Sequence, residues 1–161
     1  MSARTGIGYD SHRLEPGRRL VLGGVEVPGA ERGPVGHSDA DVLTHAVIDA
    51  LLGAAGLGDI GLLFPDTDER WRDADSIGLL REVCGLLEDG EWAVVNVDST
   101  VISEAPKLAP HRDAMRARLA EAIGIAAADV NVKFTTNEGM GFLGRGEGLA
   151  ALASATVTRK P

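Results

Sequence analysis

The chain has 161 residues, a length for one domain rather than two. Lys and Arg number 16 against 24 Asp and Glu, a net charge of −8, which argues against nucleic acid and anionic membranes as partners because both are bound by basic surface. Charged residues make up 25% and hydrophobic ones 44%, as in a folded domain, and aromatics only 4%, so Val, Leu, Ile and Ala must build the core. Thr5 to Asp10 reads as a short strand, with turn signals at Pro16-Gly17. Arg19 to Leu22 and Val25 to Pro28 flank Gly23-Gly24, the signal of a hairpin whose tight turn needs positive φ. Gly29 to Gly36 reads as a loop. A helix is expected from Ser38 to about Ala54, with Ser38 as N-cap and Asp41 completing a capping box. Gly56 to Gly61 breaks it, and Leu62 to Asp73 reads as a loop centred on Phe64-Pro65-Asp66-Thr67-Asp68. A second helix runs from Asp75 to about Asp89, and Trp92 to Ser103 is a long Val-rich strand. Pro106 and Pro110 precede a third helix ending at Gly124, and Asp129 to Thr136 is a strand with Val130, Val132 and Phe134 on one face. Gly139 to Gly148 is glycine-rich. Leu149 to Thr158 is read as strand, against the helical preference of its Ala and Leu. Strands interleaved with helices imply a mixed sheet with helices packed on it.

The single cysteine, Cys84, sits in a helical run and reads as a small core residue rather than a nucleophile. The N-terminal segment lacks the apolar stretch of a secretory signal, and no window is long and apolar enough to span a membrane. A reduced, cytoplasmic location is expected.

The chemistry-bearing residues start with the 4 histidines, His12, His37, His45 and His111. Asp10 and His12 are two apart on a strand and share a face. With His45, in the first helix, they can form a two-His, one-carboxylate set, which is how catalytic zinc with an open position is held. The spacing leaves a second reading, a surface Asp-x-His beside a satisfied helix histidine. His37-Ser38 at a helix start can be an anion site or plain capping. Thr135-Thr136-Asn137-Glu138 at a strand end can hold phosphate and a hard cation, or be a polar turn. Asp66, Asp68, Asp73 and Asp75 read as a solvated acidic loop. Gly139-Met140-Gly141-Phe142-Leu143-Gly144 matches G-x-G-x-x-G but is no dinucleotide fingerprint, because the acidic residue required about 20 positions later is missing.

Gly8-Tyr9-Asp10-Ser11-His12, His37-Ser38-Asp39-Ala40-Asp41-Val42 with His45, Gly58 to Gly61, Phe64 to Asp68, Ala105-Pro106-Lys107, and Thr135 to Glu138 with Gly144 to Gly148 occur in this order. Together, from Gly6 to about Thr158, they resemble the 2-C-methyl-D-erythritol 2,4-cyclodiphosphate synthase family of the non-mevalonate isoprenoid pathway. The resemblance implies that 4-diphosphocytidyl-2-C-methyl-D-erythritol 2-phosphate is closed to the cyclic diphosphate with release of CMP. It makes Asp10, His12 and His45 zinc ligands and gives Glu138 the second cation, Mg²⁺ or Mn²⁺. His37 and Thr136 would stabilise the transition state, with Ser38 on phosphate. Asp59, Ile60 and Gly61 would meet the ribose, and Phe64, Pro65, Asp66, Thr67 and Asp68 the methylerythritol. Ser103, Glu104, Ala105, Pro106, Lys107, Leu108, Ala109 and Thr135 would form the cytidine site, with Asn137, Phe142 and Arg145 completing the substrate contacts. A ferredoxin-like α+β layer, helices on one face, assembled as a homotrimer, is implied as well. Phe134, Asn137 and Ala109 depart from the family's usual residues. Two other functions compete: a phosphoesterase using the same ligands, and a non-catalytic trimeric sensor of isoprenoid diphosphates.

Overall fold

The computed structural model describes residues 2–161. Five strands form one sheet in the order β4-β1-β7-β5-β6: β1 (Ala3–Pro16), β4 (Arg32–Pro34), β5 (Trp92–Ile102), β6 (Val130–Thr135) and β7 (Gly148–Arg159). β1, β7 and β5 pair antiparallel, while β5 and β6 are parallel. The first expected strand is thus longer than the run Thr5 to Asp10, and the expected loop Gly29 to Gly36 contains β4. The ambiguous tail is strand: β7 lies between β1 and β5, and a central place in a sheet overrides the helical preference of Ala.

The sheet is mixed, with helices on one face, as expected. The ferredoxin-like layer expected for it is a βαββαβ arrangement, and the element order here differs. α4 (Arg112–Ile123) stands between β5 and β6. A helix crossover delivers the next strand parallel, where a hairpin would deliver it antiparallel.

α1 (Val42–Ala55) lies directly on β1 and β7, and α3 (Ser76–Asp89) packs against α1 and α4. The hairpin of β2 (Val21–Leu22) and β3 (Val25–Glu26) closes over the start of α1. α1 is therefore covered on nearly every side, and Val42, Leu43, Ile48, Leu51 and Leu52 are fully buried. Each such side chain contributes about 1.5–3 kcal/mol of hydrophobic stabilisation. Close approach to the sheet depends on Gly6 and Gly8. A Cβ on Gly8 would sit 1.9 Å from Ala46 O, and one on Gly6 would sit 2.1 Å from Ala50 O.

α1 begins at Val42, not Ser38. Its N-cap is Asp41, whose carboxylate accepts from Thr44 N at 3.0 Å and from Thr44 Oγ1 at 2.8 Å. The same carboxylate takes Gly23 N at 2.9 Å and Gly24 N at 2.8 Å, so one buried acid ties the hairpin to the helix. A hydroxyl three residues earlier cannot compete with a cap that satisfies two elements at once. His37-Ser38 is consequently a loop outside the helix terminus and receives no direct benefit from its free amides.

Candidate metal centre and substrate pocket

Asp10 and His12 project from β1 toward the helix face, and His45 comes down from the first turn of α1 to meet them. His12 Nε2 and His45 Nδ1 each stand 3.0 Å from the same oxygen, Asp10 Oδ2. The three ligand atoms lie within 4.8 Å of one another. Burial disfavours a charged Asp10, but the two facing imidazoles outweigh it and hold its pKa at about 2. Burial likewise opposes a charged His12, and Asp10, through a hydrogen bond and its charge, overcomes this and raises the pKa.

The donor set passes a chemical test for a cation. His12 Nδ1 is 2.7 Å from Val35 O, which can only accept, so that nitrogen carries a proton and in the neutral ring Nε2 is bare. Nε2 is buried with no hydrogen-bond partner despite its nearness to Asp10. A bare nitrogen facing a carboxylate oxygen needs a positive charge between them, which either a proton or a metal cation supplies. Two imidazoles and one carboxylate are zinc ligands of the catalytic kind. Gly36 leaves room for this arrangement, because a Cβ there would come within 3.0 Å of the His12 ring.

The triad floors an open cavity of about 500 Å³ lined by His37, Ser38, Ile60, Gly61, Phe64, Pro65, Asp66, Thr67 and Trp71. His37 Nε2 is buried without a partner. Ser38 Oγ lies 3.2 Å from His45 Nε2. α2 (Ile60–Leu63) puts Ile60 and Gly61 at the rim, where its cap Asp59 accepts from Leu62 N at 2.9 Å. Phe64 and Trp71 meet edge to face with centroids 4.9 Å apart and form the apolar wall. Of the acidic loop only Asp66 reaches the cavity. Asp68 caps the turn Glu69–Trp71 and pairs with Arg70, Asp75 caps α3, and no cation cluster forms from these acids among the described residues.

The remaining predicted residues collect elsewhere, at the C-terminal ends of β5 and β6. Ser103 N donates to Thr135 O at 3.0 Å, and Asn137 N to Glu104 Oε1 at 2.8 Å. Ala105, Pro106, Lys107, Leu108 and Ala109 follow Glu104 in that connection, and Thr136 and Glu138 follow Thr135. Glu138 N donates to Thr136 Oγ1 at 3.2 Å, and neither side chain joins the triad. Asn137 Nδ2 reaches Met140 O at 2.7 Å. Arg112 covers the Phe134 ring at 5.3 Å. Phe142, in α5 (Gly141–Gly144), lines a cleft with Ser11, His12, Arg13, Glu147 and Gly148, and Arg145 pairs with Glu147 at 3.2 Å. Neither Thr136 nor Glu138 lines the cavity over the triad, while Phe142 stands beside His12 in the neighbouring cleft, so one chain presents two groups of predicted residues.

Trp71, Asp39 and Ser76 escaped the sequence reading. Trp71 had the signal of a second aromatic, after Phe64, in a polar loop. Ser76 Oγ is 2.7 Å from His45 Nε2 and hydrogen-bonds Asp39, but in the sequence it looks like an ordinary residue of a helix start.

A curated relative from Burkholderia thailandensis named 2-C-methyl-D-erythritol 2,4-cyclodiphosphate synthase is 57% identical over 99% of this chain and 98% of its own length. A solved structure of a 2C-methyl-D-erythritol-2,4-cyclodiphosphate synthase in a CDP-bound form matches with a TM-score of 0.88 at 41% identity, covering 96% of this chain and all of that one. The "Bifunctional enzyme IspD/IspF" of Anaeromyxobacter dehalogenans is 59% identical over 96% of this chain, which spans only 40% of that relative's length. The bifunctional IspDF structure from Campylobacter jejuni gives a TM-score of 0.94 at 40% identity, covering 98% of this chain and 42% of that one. The model of the YgbB family matches residues 3–158, and the chain belongs to that family.

Proposed function

We propose that the chain closes 4-diphosphocytidyl-2-C-methyl-D-erythritol 2-phosphate to 2-C-methyl-D-erythritol 2,4-cyclodiphosphate with release of CMP, in non-mevalonate isoprenoid biosynthesis. The observation that carries this is the convergence of Asp10, His12 and His45 under a cavity walled by Phe64 and Trp71, in a chain whose full-length relatives bear that enzyme's name. A 2-phosphate oxygen attacks the β-phosphorus, and the bond from that phosphorus to the oxygen of CMP breaks. Zinc at Asp10, His12 and His45, and Mg²⁺ or Mn²⁺ at Glu138, would supply charge neutralisation and Lewis acidity to two anions that otherwise repel. His37 Nε2, buried and unpaired, is free to hydrogen-bond a phosphate oxygen. Ser38 sits beside it, and Thr136 offers a hydroxyl from the second group. Ile60 and Gly61 at the rim suit the ribose, with Asp59 behind them. Phe64 and Trp71 exclude water from the apolar carbon skeleton. No protein nucleophile is needed, which agrees with a Cys84 thiol whose pKa burial raises to about 11.

The working unit in this reading is a homotrimer in which one chain's triad faces another chain's Ser103–Ala109 and Thr135–Glu138 half-site. Two observations support it. Neither Thr136 nor Glu138 lines the cavity over the triad on the same chain, and the sheet face away from the helices exposes Ile7 (80%), Tyr9 (52%) and Leu152 (48%). No helix among the described residues is long and apolar enough to cross a membrane, and the lone cysteine fits a cytoplasmic setting.

Product analysis by ³¹P NMR tests the reaction. With substrate and Mg²⁺ the expected signals are those of the cyclic diphosphate and CMP. Free phosphate as the main product would make the chain a phosphoesterase instead.

A further inference from the structure

Behind the metal triad lies a chain of polar side chains that substrate contact does not explain. Asp39 is in the loop before α1, Ser76 is the first residue of α3, and His45 is in α1. Ser76 is fully buried and His45 nearly so. Asp39 Oδ2 accepts Ser76 N at 3.0 Å, which anchors the carboxylate against the start of α3. Its other oxygen is in short hydrogen-bond contact with Ser76 Oγ. A carboxylate only accepts, so the Ser76 hydroxyl proton is committed to Asp39. Ser76 Oγ, 2.7 Å from His45 Nε2, can then only accept from it. Ser38 Oγ, at 3.2 Å from the same nitrogen, already accepts Ala40 N at 3.2 Å and is the weaker partner.

We propose that Asp39 and Ser76 are positioning residues that fix the His45 proton on Nε2, and so present Nδ1 bare beside Asp10 as a metal ligand. The direction of each hydrogen bond follows from the one before it. Asp39 orients Ser76, Ser76 orients the imidazole, and the imidazole presents its lone pair to the site. His12 reaches the same state by a simpler route, its Nδ1 bonded to Val35 O at 2.7 Å. Both histidines are thereby held in the tautomer a metal requires. They use opposite nitrogens, because one ring enters from a strand and the other from a helix. This inference rests on the metal-site reading above.

The test measures zinc affinity by competition with a chromophoric chelator, in the wild type and in Ser76→Ala and Asp39→Asn. The cobalt-substituted proteins are examined in parallel for exchangeable, paramagnetically shifted imidazole N–H protons. The wild type is expected to bind zinc and to show two slowly exchanging N–H signals, one from each histidine. Ser76→Ala is expected to weaken zinc binding about ten- to a hundredfold, the usual effect of losing a partner behind a metal ligand. It should also lose or speed the exchange of the His45 signal while sparing that of His12. Asp39→Asn frees the Ser76 proton to compete for His45 Nε2, so it should shift both readouts the same way, and it answers the question if Ser76→Ala fails to fold. A merely structural role would lower the unfolding temperature and leave affinity and proton exchange alone. Folded variants with zinc affinity within about twofold of wild type and an unchanged His45 signal overturn the inference. A wild type that binds no zinc overturns the metal-site reading and the inference with it.

Discussion

His45 is the residue on which the candidate site turns, because it joins a helix to a strand through Asp10. Removing its ring leaves Asp10 and His12 as a two-ligand remnant. His45→Ala is expected to lower zinc affinity by roughly a hundredfold or more, beyond the loss of an outer partner, and to abolish turnover, as read by metal content after gel filtration and by CMP release. Unchanged zinc content would exclude His45 as a ligand. Cys84 gives the opposite kind of prediction. Burial raises its pKa from the ordinary thiol value of 9.0 to about 11. The folded chain thus holds the thiol proton more tightly than the unfolded chain does. Any stability from this is intact below pH 9 and is lost as pH rises toward 11. At pH 8 a disulfide reagent should modify Cys84 far more slowly in the folded protein than in urea. Asp10 and His12 were legible in the sequence because a period of two places them on one strand face. That His45 joins them was open from spacing alone and came from the resemblance, since no local pattern says which helix residue lands over which strand residue. Ser76 and Asp39 were hidden for a related reason: a serine at a helix start and an acid in a loop have common local roles that mask a remote one.

Among the elements, the sequence yielded the helices and long strands and misplaced the start of α1. Ser38 with Asp41 three residues on has the spacing of a capping box, yet Asp41 itself is the cap. What decided between them was tertiary: Asp41 also satisfies the amides of Gly23 and Gly24, a contact across the fold that no local window contains. Asp41→Ala should therefore cost more than a lost cap. A cap is worth about 0.5–2 kcal/mol, and buried amides left unpaired add about 1–3 kcal/mol each. A loss of about 3–5 kcal/mol is expected in urea unfolding, against about 1 kcal/mol if Asp41 were only a cap. Gly8 links the same helix to the site. With a Cβ 1.9 Å from Ala46 O, Gly8→Ala must lift α1 from β1 next to His45. Both the unfolding free energy and zinc affinity should fall, and a change in stability alone would mean that His45 tolerates the shift. The Gly-x-Gly at 6 and 8 was visible in the sequence, but its purpose required knowing what packs on it.

At the scale of the molecule, charge and shape bear on the proposed assembly. A chain with a net charge of −8 is a poor host for the proposed substrate, with its three phosphorus centres, unless cations provide a local positive field, and the acids proposed to hold those cations are Asp10 in the triad and Glu138 outside it. Each half-site is complete in itself: the triad comes from one chain, and so does the Ser103–Glu138 cluster. Assembly and metal binding should accordingly separate under mutation. Leu152 is in the middle of the outer sheet face, paired with Tyr9 on one side and Thr100 on the other. It is exposed in the single chain, so Leu152→Arg removes no core contact and should leave the unfolding curve nearly unchanged. In a trimer packed through this face, the same arginine would be buried without a partner, a cost of several kcal/mol per copy. Sedimentation should then show a monomer in place of a trimer, with zinc affinity kept and turnover lost because no second chain completes the site. A variant that becomes monomeric and still turns over would place the whole reaction within one chain. A variant that stays trimeric would move the interface off this face.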